Sequence, residues 1–514
     1  MGGFSINDLF KSMKMSKSKV KPEKIIEEAY AWLETATLLA AVDMEIFSEL
    51  AKHGPMTHLQ IREHMELNPR STPDFPDTLL AMKLLERDGD GDTALYRCSK
   101  ETAVYLDKNR PTTYLGTTLK KVLKLYVQWV DHPEMLKDKH QKQQKLSEVE
   151  DQFRALADFN MLKAQFQGDA SEKEMKVTPK YIIKTAFAFW TSRMLLTACE
   201  FGLFTLIESE PGKELPMNHI AKALGLRKST TAEFLDNLVK SGMLKRKGKE
   251  GDPNALYYNT ANCAHYLDRN KEMYIGGLME FFSAYHYAAA GGLVETLQTG
   301  DSQLAAKGTE KDFYDALYPH EGAAEGLAGG LMSVMTEASV VFAKTYPLKK
   351  YKTALDITVT DREEMIPATQ KFIKERWPDV KDRVIPQVHD YLKEPALPKA
   401  DVISMTMVLL QWGIDTKKML VRKAFEALPE GGVLVVVDHF IMDDARRYDA
   451  FGLRKSLLMF LIHGNQVGGQ TGDEVGGRTF TCGEYRSWCL EAGFKRVEMV
   501  PLPGQPMPAG VAYK

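Results

Sequence analysis

The sequence predicts an α/β protein whose C-terminal part carries a mostly parallel, Rossmann-like sheet, preceded by two mainly α-helical, winged-helix-like repeats. Three observations predict it. From about residue 351 onward, strands alternate with helices, and the strands are near-continuous apolar runs such as Val433 to Val437, the mark of a parallel sheet covered on both faces. The first half of the chain matches itself at a nearly fixed offset. Finally, the segment Leu355-Asp356-Ile357 reads as a strand entering a cofactor crevice, but the turn that follows is Thr358-Val359-Thr360-Asp361-Arg362. A glycine-rich turn is expected there, because glycine lets the backbone approach a nucleotide and begin the next helix.

Composition bounds the classes open to the chain. Its 514 residues, 44% hydrophobic and 26% charged, suffice for several cores, and about two to four domains is the natural division. A formal net charge of −2, with no basic run beyond the Lys11 to Lys24 cluster, gives little electrostatic support to nucleic-acid or membrane-surface binding. Cys98, Cys199, Cys263, Cys482 and Cys489 show neither metal-ligand spacing nor a disulfide framework, the usage of a reducing compartment. Neither a leader-like N-terminus nor a bilayer-length apolar run is evident, so the expectation is a soluble, cytoplasmic protein.

The expected divisions are a tail (1–23), a first winged-helix-like repeat (24–135), a connector (136–177), a second repeat of dimerisation type (178–300) and a Rossmann-like domain (301–514). The repeat is read from register. With Ile25 on Ile182, Leu38 falls on Leu195, Ala41 on Ala198, Phe47 on Phe204, Phe75 on Phe234, Asp77 on Asp236, Tyr96 on Tyr257 and Tyr105 on Tyr266. Offsets that drift by only a few residues point to duplication.

Each repeat predicts helices followed by a short β-ribbon. In the second, Ile220 to Leu224 is a short helix stopped by Gly225, Ser229 and Thr230 are candidate N-caps for a helix over Thr231 to Ser241, and Met243–Arg246 with Ala255–Asn259 form a two-stranded wing. Such units often lay the second helix in DNA, but Glu233 and Asp236 on that helix make a dimerisation and packing module the better reading. A connector helix is expected around Val149 to Phe166. In the C-terminal part the pattern predicts helices over Ile366 to Trp377 and Lys417 to Leu428, and strands at Arg383 to Val388, Ala400 to Met405 and Val433 to Val437.

The order Ala396 to Ile403, Val408 to Trp412, Ala427 to Asp438, Gly476 to Arg478 and Ala492 to Phe494 closely resembles the caffeic acid and acetylserotonin type of small-molecule O-methyltransferase. In that family a winged-helix dimerisation domain precedes a class I S-adenosylmethionine (SAM) domain. The resemblance covers residues 178 to 514, and the extra copy at 24–130 departs from it. It implies a glycine turn for the methionine moiety of SAM, where Thr358, Val359 and Thr360 stand. It implies a second strand ending in an acid that holds the ribose, where the second strand and its helix read as deleted. It implies a histidine general base before Asp-Trp, where Leu410 stands, and leucine accepts no proton. It also implies an acid orienting that base, where Thr479 falls.

No catalytic residue is therefore assigned. Asp356 and Asp390 are the candidate cofactor contacts if SAM binds, and Met332, Met335, Trp412, Asp438 and His439 the candidate pocket lining. The acids have an ordinary alternative as loop caps. The glycine-rich stretch Gly464 to Gly477 lacks a phosphate-loop ending and reads as a loop near the substrate mouth. Gly329 and Gly330 read as a close helix contact. His286, His320 and His463 show no metal or triad spacing, and no metal is expected.

The losses point to a diverged O-methyltransferase-like protein without SAM-dependent methyl transfer, with no cofactor expected, acting by binding a small hydrophobic ligand, structurally, or in a SAM-independent reaction. The alternative is an active SAM-dependent O-methyltransferase on a small hydroxyl-bearing substrate. The expected association is a homodimer, or an internal pseudo-dimer of the two repeats.

Overall fold

A computed structural model of the chain describes residues 20–137, 177–250, 252, 254–271, 273–304, 329–331, 335, 338, 339, 341–346, 357–376, 378–465, 477–502 and 507–514. The connector helix, Met332, Asp356, His320 and most of the Gly464–Gly477 stretch lie outside these residues. Two compact units are formed: Lys24–Arg269 with Phe282–Gln303, and Asn270–Phe281 with Leu304–Lys514.

The first unit is mainly helical. Its first half runs through helices Glu23–Asp43, Ile46–His53, His58–His64 and Asp74–Ala81, an antiparallel ribbon of Leu85–Asp88 with Leu95–Cys98, and helices Lys100–Tyr105, Gly116–Gln128 and His132–Leu136. Its second half runs through Lys180–Ala186, Ala188–Glu200, Leu203–Ser209, Met217–Leu224 and Lys228–Lys240, a ribbon of Leu244–Lys247 with Leu256–Asn259 joined by Leu215–Pro216, and helices Ala261–Tyr266 and Leu293–Thr299.

Local chemistry sets these ends. Thr57 and Gln60 form a reciprocal capping box at His58–His64, satisfying amides that the helix itself leaves open. Ser99 and Thr260 are simple N-caps of the helices that follow the two ribbons, accepting from the amides of Thr102 and Cys263. Gly225 ends Met217–Leu224 with φ 65°, a left-handed C-cap that glycine adopts without a Cβ clash. One expected cap is absent. The helix begins at Lys228, and the hydroxyls of Thr230 and Thr231 turn back onto the Arg227 carbonyl at 3.2 and 2.7 Å.

Each half holds the same trio, buried in the first and partly exposed at its arginine in the second. In the first, Asp77 Oδ1 accepts from Arg87 at 2.7 Å and from the Tyr96 hydroxyl at 2.5 Å. In the second, Asp236 Oδ1 accepts from Arg246 and from the Tyr257 hydroxyl, the latter at 2.8 Å. The acid lies on a helix, the arginine on the first ribbon strand and the tyrosine on the second, so the trio ties helix to ribbon in both. A buried carboxylate needs such partners, since an uncompensated buried charge is costly.

In the second unit the sheet is divided and mixed. Val402–Thr406 pairs parallel with Val433–Val437, which pairs antiparallel with Ala509–Tyr513, itself antiparallel to Arg496–Val500. Ile357–Asp361 and Val384–Val388 form a separate parallel pair. The expected mostly parallel single sheet is thus present in pieces, the C-terminal hairpin supplying the antiparallel edge. Every residue of Val433–Val437 is buried. Helices Ile414–Ala427 and Cys482–Ala492 cover the sheet, packing Leu420, Val421, Tyr485 and Trp488 against Leu434 and Val436. Each such side chain contributes roughly 1.5–3 kcal/mol by leaving water.

The pairing corrects one expectation. In the doubly wound order 3-2-1-4-5, the first strand lies between the second and fourth. Ile357–Asp361 pairs with Val384–Val388, and among the described residues no strand borders Val402–Thr406 opposite Val433–Val437. Ile357–Asp361 therefore occupies the place of the second strand, the one read as deleted. Among the described residues the vacancy falls at the first strand's place. The close approach expected at Gly329 and Gly330 is present, since a Cβ on Gly330 would stand 3.3 Å from the Gly277 carbonyl oxygen.

Candidate functional site

The parallel strands deliver their carboxyl ends to a common region, where ligands of open α/β sheets bind. Asp361 ends one strand, Asp390 and Tyr391 follow the next, Met407 to Trp412 follow the third, and Asp438 and His439 follow the fourth. Tyr391 meets Trp412 edge-on with ring centroids 6.1 Å apart. Lys423, on helix Ile414–Ala427, fixes the Tyr391 loop by donating to the carbonyls of Tyr391 and Glu394 at 2.9 and 2.6 Å.

Asp361 is half-buried. Burial pushes its carboxyl above the usual range, partly opposed by the Arg362 amide, which donates to it at 2.8 Å. Asp390 behaves as a loop cap: its Oδ1 accepts the amides of Leu392 and Lys393 at 3.1 and 3.2 Å, and Lys393 Nζ lies 3.0 Å from Oδ2. Burial works to raise this carboxyl, but Lys393 and the two amides outweigh it and hold it below its ordinary value.

The most enclosed group is Asp438, fully buried. Its Oδ2 accepts the Leu410 amide at 3.1 Å and its Oδ1 the His439 amide at 2.8 Å. Burial raises the carboxyl to about 6, against the pull of those amides and of Lys417 and Lys455. Lys455, buried on helix Ala450–His463, is lowered to about 8 by desolvation, offset by Asp438. His439 is buried, packs its ring 5.4 Å from that of Phe451, and leaves Nδ1 without a hydrogen-bond partner. Burial, then Lys455, holds its imidazole far below the ordinary value, hence neutral.

Leu410 itself is buried, on a tight turn Leu409–Gln411 that follows Met407 at φ 53°, a left-handed conformation that costs a non-glycine residue energy. Lys417 clamps the turn's far side, donating 2.7 Å bonds to the carbonyls of Trp412 and Arg478. Gly477 packs onto the same turn so closely that a Cβ there would stand 2.6 Å from the Gln411 carbonyl oxygen. Thr479, where an orienting acid was expected, donates to the Gly452 carbonyl at 3.0 Å.

The structure thus gathers Asp390, Trp412, Asp438 and His439 at the strand ends; Met335 is helical and half-buried. Sequence reasoning passed over Asp361, Lys417 and Lys455. Asp361 carried a signal, an acid closing a β-branched run; the lysines carried none, since a lysine on an amphipathic helix ordinarily faces water. The trio Glu49, His53 and His64 in the helical unit was also missed, although its ligand atoms lie within 4.8 Å of one another. Two of the three side chains are exposed.

The chain's relatives become informative against this geometry. The family described as O-methyltransferase dimerisation domain matches residues 183–269, and the O-methyltransferase domain matches residues 340–476. TcmO of Streptomyces glaucescens, the tetracenomycin polyketide synthesis 8-O-methyl transferase, is 30% identical over 346 residues, 63% of this chain and 94% of that protein. The chain belongs to the SAM-dependent small-molecule O-methyltransferase family. The N,N-dimethyltransferase OxyT of Streptomyces rimosus is 25% identical over 334 residues, 61% of this chain and 90% of that protein. Human N-acetylserotonin methyltransferase, solved in complex with SAM, shares the fold with a TM-score of 0.56 at 21% identity, over 68% of this chain and 99% of its own.

The residues of this O-methyltransferase-family chain fit SAM at one end. For an adenosyl group there is an acid on a strand end, Asp361, beside an aromatic wall of half-buried Tyr391 and buried Trp412. For the methionine moiety the backbone would have to approach closely on a glycine turn, and the sequence holds no glycine between Gly330 and Gly413. The methionine end of a conventional seat does not fit.

Proposed function

We propose that this protein acts on a hydroxyl-bearing, polyketide-type small molecule by SAM-dependent O-methyl transfer, the alternative already open in the sequence. The observation that carries this reading is the match to TcmO, named as an 8-O-methyl transferase, along 94% of that protein's length. Asp361 is the proposed ribose contact. Trp412 and Tyr391 are the proposed aromatic wall, and the amide-bound Asp438 keeps the Leu409–Gln411 turn at the mouth of the crevice. SAM would supply the methyl group; the chain's own residues would bind and orient the ligands and keep water out.

A second reading is favoured by two specific observations: the proton acceptor's position is occupied by buried Leu410, and the methionine end lacks a glycine turn. On that reading the domain binds a small aromatic ligand without transferring methyl groups.

Calorimetric titration with SAM and S-adenosylhomocysteine, paired with methyl-transfer assays on hydroxylated polyketide-type compounds, separates the two. Saturable binding with transfer supports the first reading. No binding at millimolar ligand overturns it and leaves the second.

A further inference from the structure

We propose that the first helical half, residues 23–136, serves as a built-in second subunit, closing within one chain the face that the matched dimerisation domain at 183–269 would otherwise offer to a partner. The contacts between the halves are reciprocal. In the repeat register Thr35 corresponds to Ser192; Thr35 donates to the Thr185 carbonyl at 2.7 Å, and Ser192 donates to the Ala29 carbonyl at 3.0 Å, one residue on from the counterpart of Thr185. Asn68 corresponds to Arg227. The Asn68 amide donates to the Leu297 carbonyl at 2.8 Å, and the Arg227 amide donates to the Leu136 carbonyl, also at 2.8 Å. Leu136 and Leu297 each lie on the last helix of their half.

The aromatic core repeats the pattern. Trp32 corresponds to Phe189. Trp32 packs on Tyr287 of the second half with centroids 6.3 Å apart, and Phe189 packs on Tyr126 of the first at 5.4 Å. Tyr126 and Tyr287 stack on each other at 4.7 Å, where the two sets meet. All four rings are fully buried. A set in which i touches j while the counterpart of i touches the counterpart of j is the signature of an isologous, two-fold interface. Here both partners belong to one chain.

The match has also become one-sided. Buried Arg193 donates to the Trp129 and Val130 carbonyls at 3.0 and 2.6 Å, and in the register its counterpart is Ala36. The second half is thus complementary to the first rather than to another copy of itself. An Arg193 facing an uncapped surface would leave its buried guanidinium without those acceptors, a costly state.

The full chain carries the test. Multi-angle light scattering across micromolar concentrations is expected to give the mass of one chain, and a concentration-dependent mass of two chains would overturn the proposal. A second measurement excludes exchange of halves between molecules. Lys137 and Leu226 form an antiparallel bridge, a spacing of roughly 4.5–5.5 Å between Cα atoms that a disulfide can span. Oxidised Lys137→Cys/Leu226→Cys protein is expected to run as a single chain with altered mobility. Cross-linked dimers, or no cross-link in a variant that melts like the wild type, would overturn it.

Discussion

Asp438 accepts the backbone amide of Leu410 at 3.1 Å, so the residue where the resemblance puts the base is pinned by an acid while its own side chain has no proton chemistry. The pin acts on the main chain and survives a change of side chain. Leu410→His is therefore expected to place an imidazole where the resemblance puts the base, without moving the turn. If the protein transfers methyl groups, the wild-type rate should show no inflection between pH 5 and 8 from this position. The variant should gain one near the imidazole's pKa, with a rate increase of about 10²–10⁴. Radiolabelled methyl transfer across that pH range is the measurement.

Asp438 also makes a stability prediction. Its folded-state value of about 6 lies above the ordinary 3.8, so between those values the folded state holds a proton that the unfolded state has lost. Stability from this group is present at low pH and is lost as pH rises through 6, a difference of about 3 kcal/mol. Asp438→Asn abolishes that dependence. Urea unfolding of both proteins from pH 4.5 to 7.5 should show the wild type losing ground to the variant as pH rises.

The buried histidines act in the opposite direction. His132, stacked on Trp129 at 4.7 Å and bonded to Thr197 at 2.9 Å, is lowered to about 3 by burial, with Arg193 adding to the effect. Because its folded value lies below its unfolded one, the unfolded state takes the proton first as pH falls below 6.5, and stability is lost. Below 6.5 the slope from this group approaches about 1.4 kcal/mol per pH unit. His132→Phe keeps the ring stack and should flatten the acid limb of the helical unit's denaturation curve by that amount.

How much of this was legible in sequence depended on whether local pattern or long-range pairing decided the outcome. Val433–Val437, Met217–Leu224 with Gly225, and both ribbons were legible, because β-branched runs and glycine stops act within a few residues. The assignment of Ile357–Asp361 was not. As a string it resembles a first strand, and only its pairing with Val384–Val388, a contact across an intervening helix, shows it in the second strand's place. The same distinction explains why Asp390 was read with its loop-cap alternative, which its bonds to the amides of Leu392 and Lys393 satisfy, whereas buried Lys417 depends in part on the Arg478 carbonyl and buried Lys455 on the charge of Asp438, each on another element.

The matched trios of the helical unit yield the last prediction. Arg87 and Asp77 have side chains 4% and 1% exposed, against 17% and 6% for Arg246 and Asp236. Removing the arginine takes the paired cation from a buried carboxylate that also accepts from the Tyr96 hydroxyl, so Arg87→Met is expected to cost about 3–5 kcal/mol. Arg246→Met should cost less, because water reaches the second trio more readily and screens the stranded charge. Adding Asp77→Asn to Arg87→Met removes the uncompensated charge while keeping an oxygen to accept from Tyr96. The double variant should therefore recover more than half of the loss. Urea-unfolding double-mutant cycles on both trios measure this directly: a large coupling at Arg87–Asp77 and a smaller one of the same sign at Arg246–Asp236 is the expected result. Strictly additive losses would mean that the trios hold helix to ribbon by packing alone.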